Sequence, residues 1–157
     1  MLTVELGFQP RSQKLSGVLL YRANLNNAIL TNARLNDVNL YRANLNNAIL
    51  TNANVSYSNL EMAQLTGADL TKASLRMANL EGATLIKANL SNADLVKSKL
   101  VDANLTNAIL KSARLVDINM SRANLMGADL SGAEMSKNNL CDVTMPDGTK
   151  TKEGCGN

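Results

Sequence analysis

The sequence contains no histidine and no tryptophan, and only one phenylalanine, three tyrosines and two cysteines among 157 residues. Without histidine the chain lacks the side chain that most often acts as a general base and ligates metal ions. So few aromatic residues cannot fill an ordinary globular core of this length. A Gly-rich phosphate loop and a Ser or Cys nucleophile motif are also missing. We therefore expect no enzyme, no cofactor and no metal site.

The excess of one charge over the other is also small, with 16 Lys and Arg against 13 Asp and Glu, a net charge of +3. An excess this small makes no concentrated basic patch, so we expect no nucleic acid as partner. No apolar run is long enough to span a membrane. The first residues do not resemble a signal peptide, because Glu5 interrupts a short apolar stretch. We expect a cytoplasmic protein, or a periplasmic or thylakoid-lumen protein if a targeting segment was removed.

A large apolar residue recurs at every fifth position from residue 15 to residue 140. Of these 26 positions 23 are Leu, and the exceptions are Val55, Met120 and Met135. Ala nearly always stands two positions earlier, so the unit reads A-(N/D/polar)-L-polar-polar. A period of five fits neither a helix nor a straight strand. If Ala and Leu of an extended unit share one face, the two polar residues must turn the chain, which then winds around its own axis.

The positions two before each Leu indicate how many units make one lap. When the sequence is folded at 20 residues these positions form four columns, of which three are Ala down to residue 133. One column is chemically distinct, as expected of a prism with four walls. Residues 21–33 also recur unchanged as residues 41–53. The distinct column consists of Val18, Val38, Ser58, Ala78, Ser98, Ile118 and Asn138.

This unit resembles the A(D/N)LXX motif of the pentapeptide-repeat family over about residues 15–145. The resemblance implies an all-β fold, a right-handed quadrilateral parallel β-helix (solenoid) with about six to seven coils of 20 residues. It predicts an N-terminal cap at 1–14, the β-helix at 15–145 and a C-terminal turn and tail at 146–157. The M-P-D-G-T turn at 145–149 resembles those that close cyanobacterial members. A disordered, low-complexity chain is the alternative, but the apolar residues are too regularly placed for it.

Both ends of the predicted stack need closing, because an open coil would pair with another chain. Leu2, Val4, Leu6 and Phe8 alternate with polar residues or Gly, which predicts a half-buried strand within the N-terminal cap. At the other end Cys141 and Cys155 lie 14 residues apart. They are either a disulfide that pins the tail across the last coil or two free thiols, and the sequence leaves both open.

Outward columns carry any function, because the inward residues are committed to the core. We interpret the columns Lys97, Asp117, Lys137 and Asp102, Arg122, Asp142 as structural charge pairs, and two asparagine columns as stacked amides. Apolar outward residues are harder to explain, among them Ile86, Val96, Val101, Val116 and Met126, although scattered apolar surface is normal. Tyr and Arg anchor many protein interfaces. The predicted partner-binding residues are Tyr21, Arg22, Tyr41, Arg42, Ile29, Ile49 and Ile109.

The sequence favours a non-catalytic scaffold that presents a rigid β-helical surface to a protein partner, as a monomer or an end-to-end homodimer. The family resemblance raises an alternative, a DNA-mimic modulator of the type II topoisomerase gyrase. That activity requires an acidic surface, which the net positive charge disfavours. Ice binding is a third class, but Lys111 interrupts the column Thr31, Thr51, Thr71, Ser91.

Overall fold

The computed structural model describes residues 16–156. Each unit contains three extended residues followed by a tight turn. The carbonyl of a core Leu accepts a hydrogen bond from the N–H three residues on, as in Ala23 N to Leu20 O at 3.0 Å. The second residue after each core position has φ > 0, between 53° and 61° where it is not glycine. Positive φ at the third residue of a turn but not at the second is typical of type II geometry, which favours Asn, Asp and Gly at the third residue.

Parallel bridges join the middle residue of each extended segment to the residue 20 positions later, from Leu19 with Asn39 to Asn124 with Thr144. Two short strands extend this pairing, β1 at Arg114–Val116 and β2 at Glu134–Ser136, with Leu115 opposite Met135. Elsewhere one bridge per wall suffices, because the chain turns after three extended residues. The 20-residue register predicted from the sequence is therefore present. The first wall contains Leu20 and its successors at 20-residue steps, and the second, third and fourth walls start at Leu25, Leu30 and Leu35.

Ala and Leu fill the interior, as the sequence predicts. Leucines from Leu35 to Leu100 are essentially inaccessible to solvent, and the Ala columns are buried beside them. Burial of each Leu contributes about 1.5–3 kcal/mol. Leu130, Met135 and Met145 near the C-terminal end are only partly buried, since fewer coils cover them. The core therefore stacks uniformly through the middle of the rod and loosens in the last coil.

The corner between the fourth and first walls is closed in two ways. At two turns a side chain from the next coil replaces the usual backbone hydrogen bond. Ser58 Oγ donates to Leu35 O at 2.6 Å and accepts from Val38 N at 3.1 Å. Asn138 bridges Leu115 O at 2.7 Å and Ile118 N at 3.1 Å in the same manner. These bridges account for Ser58 and Asn138 in the column that departs from Ala.

The C-terminal tail folds back across the first wall of the last coil. Leu140 N donates to Glu153 O at 3.1 Å and Asp142 N to Thr151 O at 2.9 Å, so tail carbonyls occupy the place of a following coil. A disulfide joins Cys141 to Cys155, one of the two states that the sequence leaves open. The predicted cap at residues 1–14 lies outside the described residues. Within residues 16–156 no helix has the length and apolar character needed to cross a membrane.

Candidate functional site

The repeated segment places two identical Tyr-Arg pairs one coil apart at the corner between the first and second walls. The rings of Tyr21 and Tyr41 are stacked, with centroids 5.6 Å apart and planes inclined by 6°. Arg22 lies over the Tyr21 ring and Arg42 over the Tyr41 ring, each with its guanidinium carbon 5.1 Å from the ring centroid. These distances permit cation–π attraction. We use the name Tyr–Arg pair for the whole group of four residues, that is, the stacked tyrosines together with their two arginines. The structure brings the four together as the sequence suggests.

Backbone geometry fixes where these side chains point. Arg22 and Arg42 occupy the positive-φ position of their turns, at 53° and 55°, which directs them away from the core. Tyr41 N donates to Asn39 Oδ1 at 3.0 Å, which holds the start of the turn. Tyr21 is half exposed and Arg22 and Arg42 are exposed. The Tyr–Arg pair is therefore presented to solvent on a rigid support rather than on a mobile loop.

Arg22 and Arg42 form no ion pair within residues 16–156. No carboxylate of this part of the chain lies within ion-pair distance of either guanidinium. By contrast Arg76, Arg114 and Arg122 all contact carboxylates. Like charges stacked on neighbouring strands destabilise a sheet. The Tyr–Arg pair therefore stacks two cations that contact tyrosine rings and no carboxylate of the described residues.

The sequence reasoning missed three further exposed residues around the first wall. Tyr57 and Met77 occupy successive coils at the corner before it, and Met62 follows Arg42 at the corner after it. All three have positive φ, where Asn or Gly is favoured. Met62 leans over Gly82, where a Cβ would lie 3.4 Å from its sulfur. A bulky residue at the fifth position of the unit is the signal that could have found them. All three tyrosines of the chain thus border the first wall.

The predicted isoleucines lie elsewhere. Ile29 and Ile49 are bridged neighbours on the third wall, opposite the first, and each is about two-fifths exposed. Ile109 shares their column, but Asp69 and Asn89 separate it from them. Of the other apolar residues predicted to face outward, Met126 is exposed, and Ile86, Val101 and Val116 are partly exposed. Val96 is buried, which corrects the prediction for that residue. The predicted residues therefore form two surfaces rather than one.

The charged columns agree only in part with the sequence interpretation. Arg122 makes a two-pronged ion pair with Asp102, from Nε to Oδ1 and Nη2 to Oδ2, both at 2.7 Å. The Arg122 guanidinium lowers the pKa of the Asp102 carboxyl. The column Lys97, Asp117, Lys137 has no ion pair within 4.0 Å among the described residues, which corrects that prediction, since exposed Lys side chains need not reach their neighbours. A network joining Arg76, Asp94, Arg114 and Glu134 was missed.

The asparagine columns are stacked as predicted, but their amides bond differently. Asn44 Oδ1 accepts from the Asn46 backbone N–H at 3.1 Å, and Asn104 Oδ1 accepts from that of Thr106 at 3.1 Å. Among the described residues no side-chain bond joins two amides along a column. Each Asn therefore fastens its own turn, as short polar side chains commonly do.

Two polar clusters give no sign of catalytic chemistry. Burial raises the pKa of Asp69, but hydrogen bonds from Thr71 and Thr51 outweigh that effect and lower it, so this carboxyl stays ionised. Cys141, Asp142 and Cys155 have potential ligand atoms within 4.8 Å of one another. Because the two sulfurs are bonded to each other, this cluster offers no thiolate to a metal.

A family of known proteins has the same repeat unit as this chain. The family model for pentapeptide repeats, eight copies of the unit, matches residues 14–52, 48–85, 73–111, 88–125 and 103–140. No curated protein sequence matches the chain significantly.

Several solved structures are similar to this chain. Rfr23, a pentapeptide repeat protein from the cyanobacterium Cyanothece 51142, is 37% identical over 61% of this chain and 63% of its own, with a TM-score of 0.49. The chain thus spans under two thirds of that relative. HetL from the cyanobacterium Nostoc sp. strain PCC 7120, involved in heterocyst differentiation regulation, is 29% identical over 85% and 76%, with a TM-score of 0.33.

The likeness in fold rests on a third structure. Trypsin-treated QnrB1, a plasmid-mediated fluoroquinolone resistance protein, has a TM-score of 0.67 over 88% of this chain and 75% of its own, at 19% identity. Together with the unit and its 20-residue register, these matches show that the chain belongs to the pentapeptide-repeat family and has its right-handed quadrilateral β-helix.

Proposed function

We propose that the protein is a non-catalytic scaffold of about six to seven coils that binds a protein partner through the first wall and its corners. The observation that carries this proposal is the Tyr–Arg pair, two stacked tyrosines with two arginines that form no ion pair within residues 16–156. Tyr, Arg and Met are enriched at protein interfaces. Rigid aromatic side chains also lose little conformational entropy on binding.

The surroundings of the Tyr–Arg pair support an interface of useful size. Tyr57, Met62 and Met77 add exposed apolar surface on both corners of the same wall. Exposed apolar residues that stack in successive coils form stripes rather than isolated contacts. The Ile29–Ile49 stripe on the opposite wall is a smaller, separate candidate, and Ile109 contributes to neither surface.

Topoisomerase modulation by DNA mimicry is the alternative, and a fluoroquinolone resistance protein shares the fold. Its physical requirement is an acidic surface. The Tyr–Arg pair is cationic, and in the ion pairs at the C-terminal end the charges of Arg and of Asp or Glu neutralise each other. The charge distribution therefore favours the scaffold proposal.

The disulfide bears on the compartment. Disulfides persist in oxidising compartments and are rare in reducing cytosol. The Cys141–Cys155 bond therefore supports the periplasmic or lumenal alternative over the cytoplasmic expectation. The end-to-end homodimer stays a prediction, and the tail across the first wall of the last coil opposes such pairing at that wall.

Matched alanine variants test the scaffold proposal. The first replaces Tyr21, Arg22, Tyr41 and Arg42. Its control replaces Val101, Asp102, Ser121 and Arg122, which occupy the same two columns four coils later and include the same number of positive-φ positions. Each is used as bait for cross-linking and quantitative mass spectrometry in extracts of the source cells, after thermal unfolding has shown that it is folded.

We expect proteins captured by the natural chain and by the control variant to be lost with the Tyr–Arg variant. Equal capture by both variants contradicts the proposal.

A further inference from the structure

The column that contains Arg22 and Arg42 also contains an arginine that is paired with a carboxylate. In later coils the same column reads Asp102, Arg122, Asp142, and Arg122 grips Asp102 with two hydrogen bonds of 2.7 Å. In the first two coils Arg stacks on Arg, and neither forms an ion pair with a described carboxylate. The same column thus has a carboxylate one coil from the guanidinium of Arg122 and none one coil from either guanidinium of the Tyr–Arg pair.

The two guanidinium groups are also held in place before any ligand arrives. Each lies over the ring of its preceding tyrosine, and the two rings are stacked on each other. Arginine loses less conformational freedom on binding when its planar group is already positioned. Two guanidinium groups on neighbouring coils are suited to binding two carboxylates, each in the way that Arg122 binds Asp102.

From this geometry we propose that the Tyr–Arg pair recognises an acidic helix of the partner protein, with two carboxylate side chains one turn apart. Neighbouring coils are about 4.8 Å apart, and residues i and i+4 of a helix have Cβ atoms about 5–6 Å apart. A helix along the rod axis therefore presents one carboxylate to each arginine. This inference rests on the proposed scaffold function and specifies the chemistry of the partner.

The next two coils limit how long the acidic stretch can be. Glu61 and Glu81 continue the tyrosine column, and Asn79 Nδ2 donates to Glu61 Oε2 at 3.3 Å. Further carboxylates on the partner would face these two glutamates and be repelled. The site therefore accepts a short acidic pair and disfavours a helix that is acidic along its whole face.

Side-chain NMR of the full chain tests the inference, because arginine N–H signals report weak binding. The probes are helical peptides that differ only at two positions four residues apart, with Glu in one and Gln in the other. A third peptide carries four glutamates along the same face. A single-stranded DNA oligonucleotide serves as a competing polyanion.

We expect the two-Glu peptide to shift the N–H signals of Arg22 and Arg42, and not those of Arg114 and Arg122. It should bind about fivefold more tightly than the Gln peptide, as two exposed ion pairs would give. This preference should vanish in Arg22→Gln/Arg42→Gln and at about 0.5 M salt, where screening is strong. The four-Glu peptide should bind no better than the two-Glu peptide, and better once Glu61 and Glu81 are replaced by Gln.

Three outcomes overturn the inference: equal binding of the Glu and Gln peptides, shifts centred on other arginines, or tighter binding of the oligonucleotide. The inference is wrong and the scaffold proposal stands if the Tyr–Arg alanine variant loses its captured partners while the natural chain binds the Glu and Gln peptides equally. If that variant keeps its captured partners, the scaffold proposal itself has failed.

Discussion

The first two coils and the last three use one surface column in opposite ways. Asp102, Arg122 and Asp142 alternate in sign, and Arg122 is neutralised by Asp102. Arg22 and Arg42 repeat one sign and lie on tyrosine rings instead. Since buried apolar residues precede this column in both regions, packing does not explain the difference. Local rules are broken most often at functional sites, and the unbalanced region is therefore where we place the binding surface.

The largest effect tests whether the two interiors are alike. Leu45→Ala in the first region and Leu105→Ala in the last remove fully buried side chains of the same wall. Each should reduce the free energy of unfolding by about 2–5 kcal/mol, and the two reductions should agree. Urea unfolding followed by circular dichroism measures both. A large disagreement would show that the regions differ in packing and not only in surface charge.

The disulfide distinguishes the two ends of the rod. Replacing both Cys141 and Cys155 by Ser should cost about 3 kcal/mol in the loop-entropy model. Loss of the bridge frees the tail, so the amides of Leu140 and Asp142 should exchange hydrogen faster. The amides of Leu20 and Arg22, which pair with the second coil, serve as internal controls. Unchanged exchange at Leu140 would mean that the tail stays in place without the bridge.

Two buried serines of the same column provide a matched pair. Ser58 Oγ bridges two backbone groups of the preceding coil, whereas Ser98 Oγ has no hydrogen-bond partner among the described residues. Ser58→Ala should cost about 1–3 kcal/mol, because it leaves buried polar groups unpaired. Ser98→Ala should be neutral or stabilising. Thermal unfolding decides, and equal losses would contradict the assigned bridge.

Charge exchange between the regions should have smaller effects on stability. Arg42→Asp gives the first region the alternating pattern, and Asp102→Arg gives the last region the stacked one. The first should stabilise and the second destabilise the fold, each by about 0.2–1 kcal/mol. Chemical unfolding at low salt measures both, and changes of the same sign would contradict the comparison.

Acid titration should reveal the smallest difference. Arg122 lowers the pKa of Asp102 below its ordinary value of 3.8. A lowered pKa in the folded state means that the stabilisation is present above pH 3.8 and is lost as pH falls through the lowered value. Asp102→Asn should remove this part of the pH dependence. The measurement is the free energy of unfolding at a series of pH values between neutral and acid. A profile unchanged by Asp102→Asn would exclude the ion pair as its source.

The repeat explains how much the sequence alone could predict. The interior followed directly, because one period dictates both the buried residue and the 20-residue register, and the stacking of Tyr21 on Tyr41 followed from that register. The roles of outward side chains did not follow. Asn44 could stack on its neighbours or fasten its own turn, and only the turn geometry settles which. Tyr57 and Met62 were missed because the positive-φ character of the fifth position is not evident from spacing.

Reversing the charge of the Tyr–Arg pair tests the central claim most directly. The variant Arg22→Glu/Arg42→Glu and the natural chain are each titrated with the two-Glu helical peptide and with the same peptide carrying Lys in place of Glu. We predict that the natural chain prefers the Glu peptide and the variant prefers the Lys peptide. If both proteins rank the two peptides in the same order, the Tyr–Arg pair is not the site that reads the partner's charge.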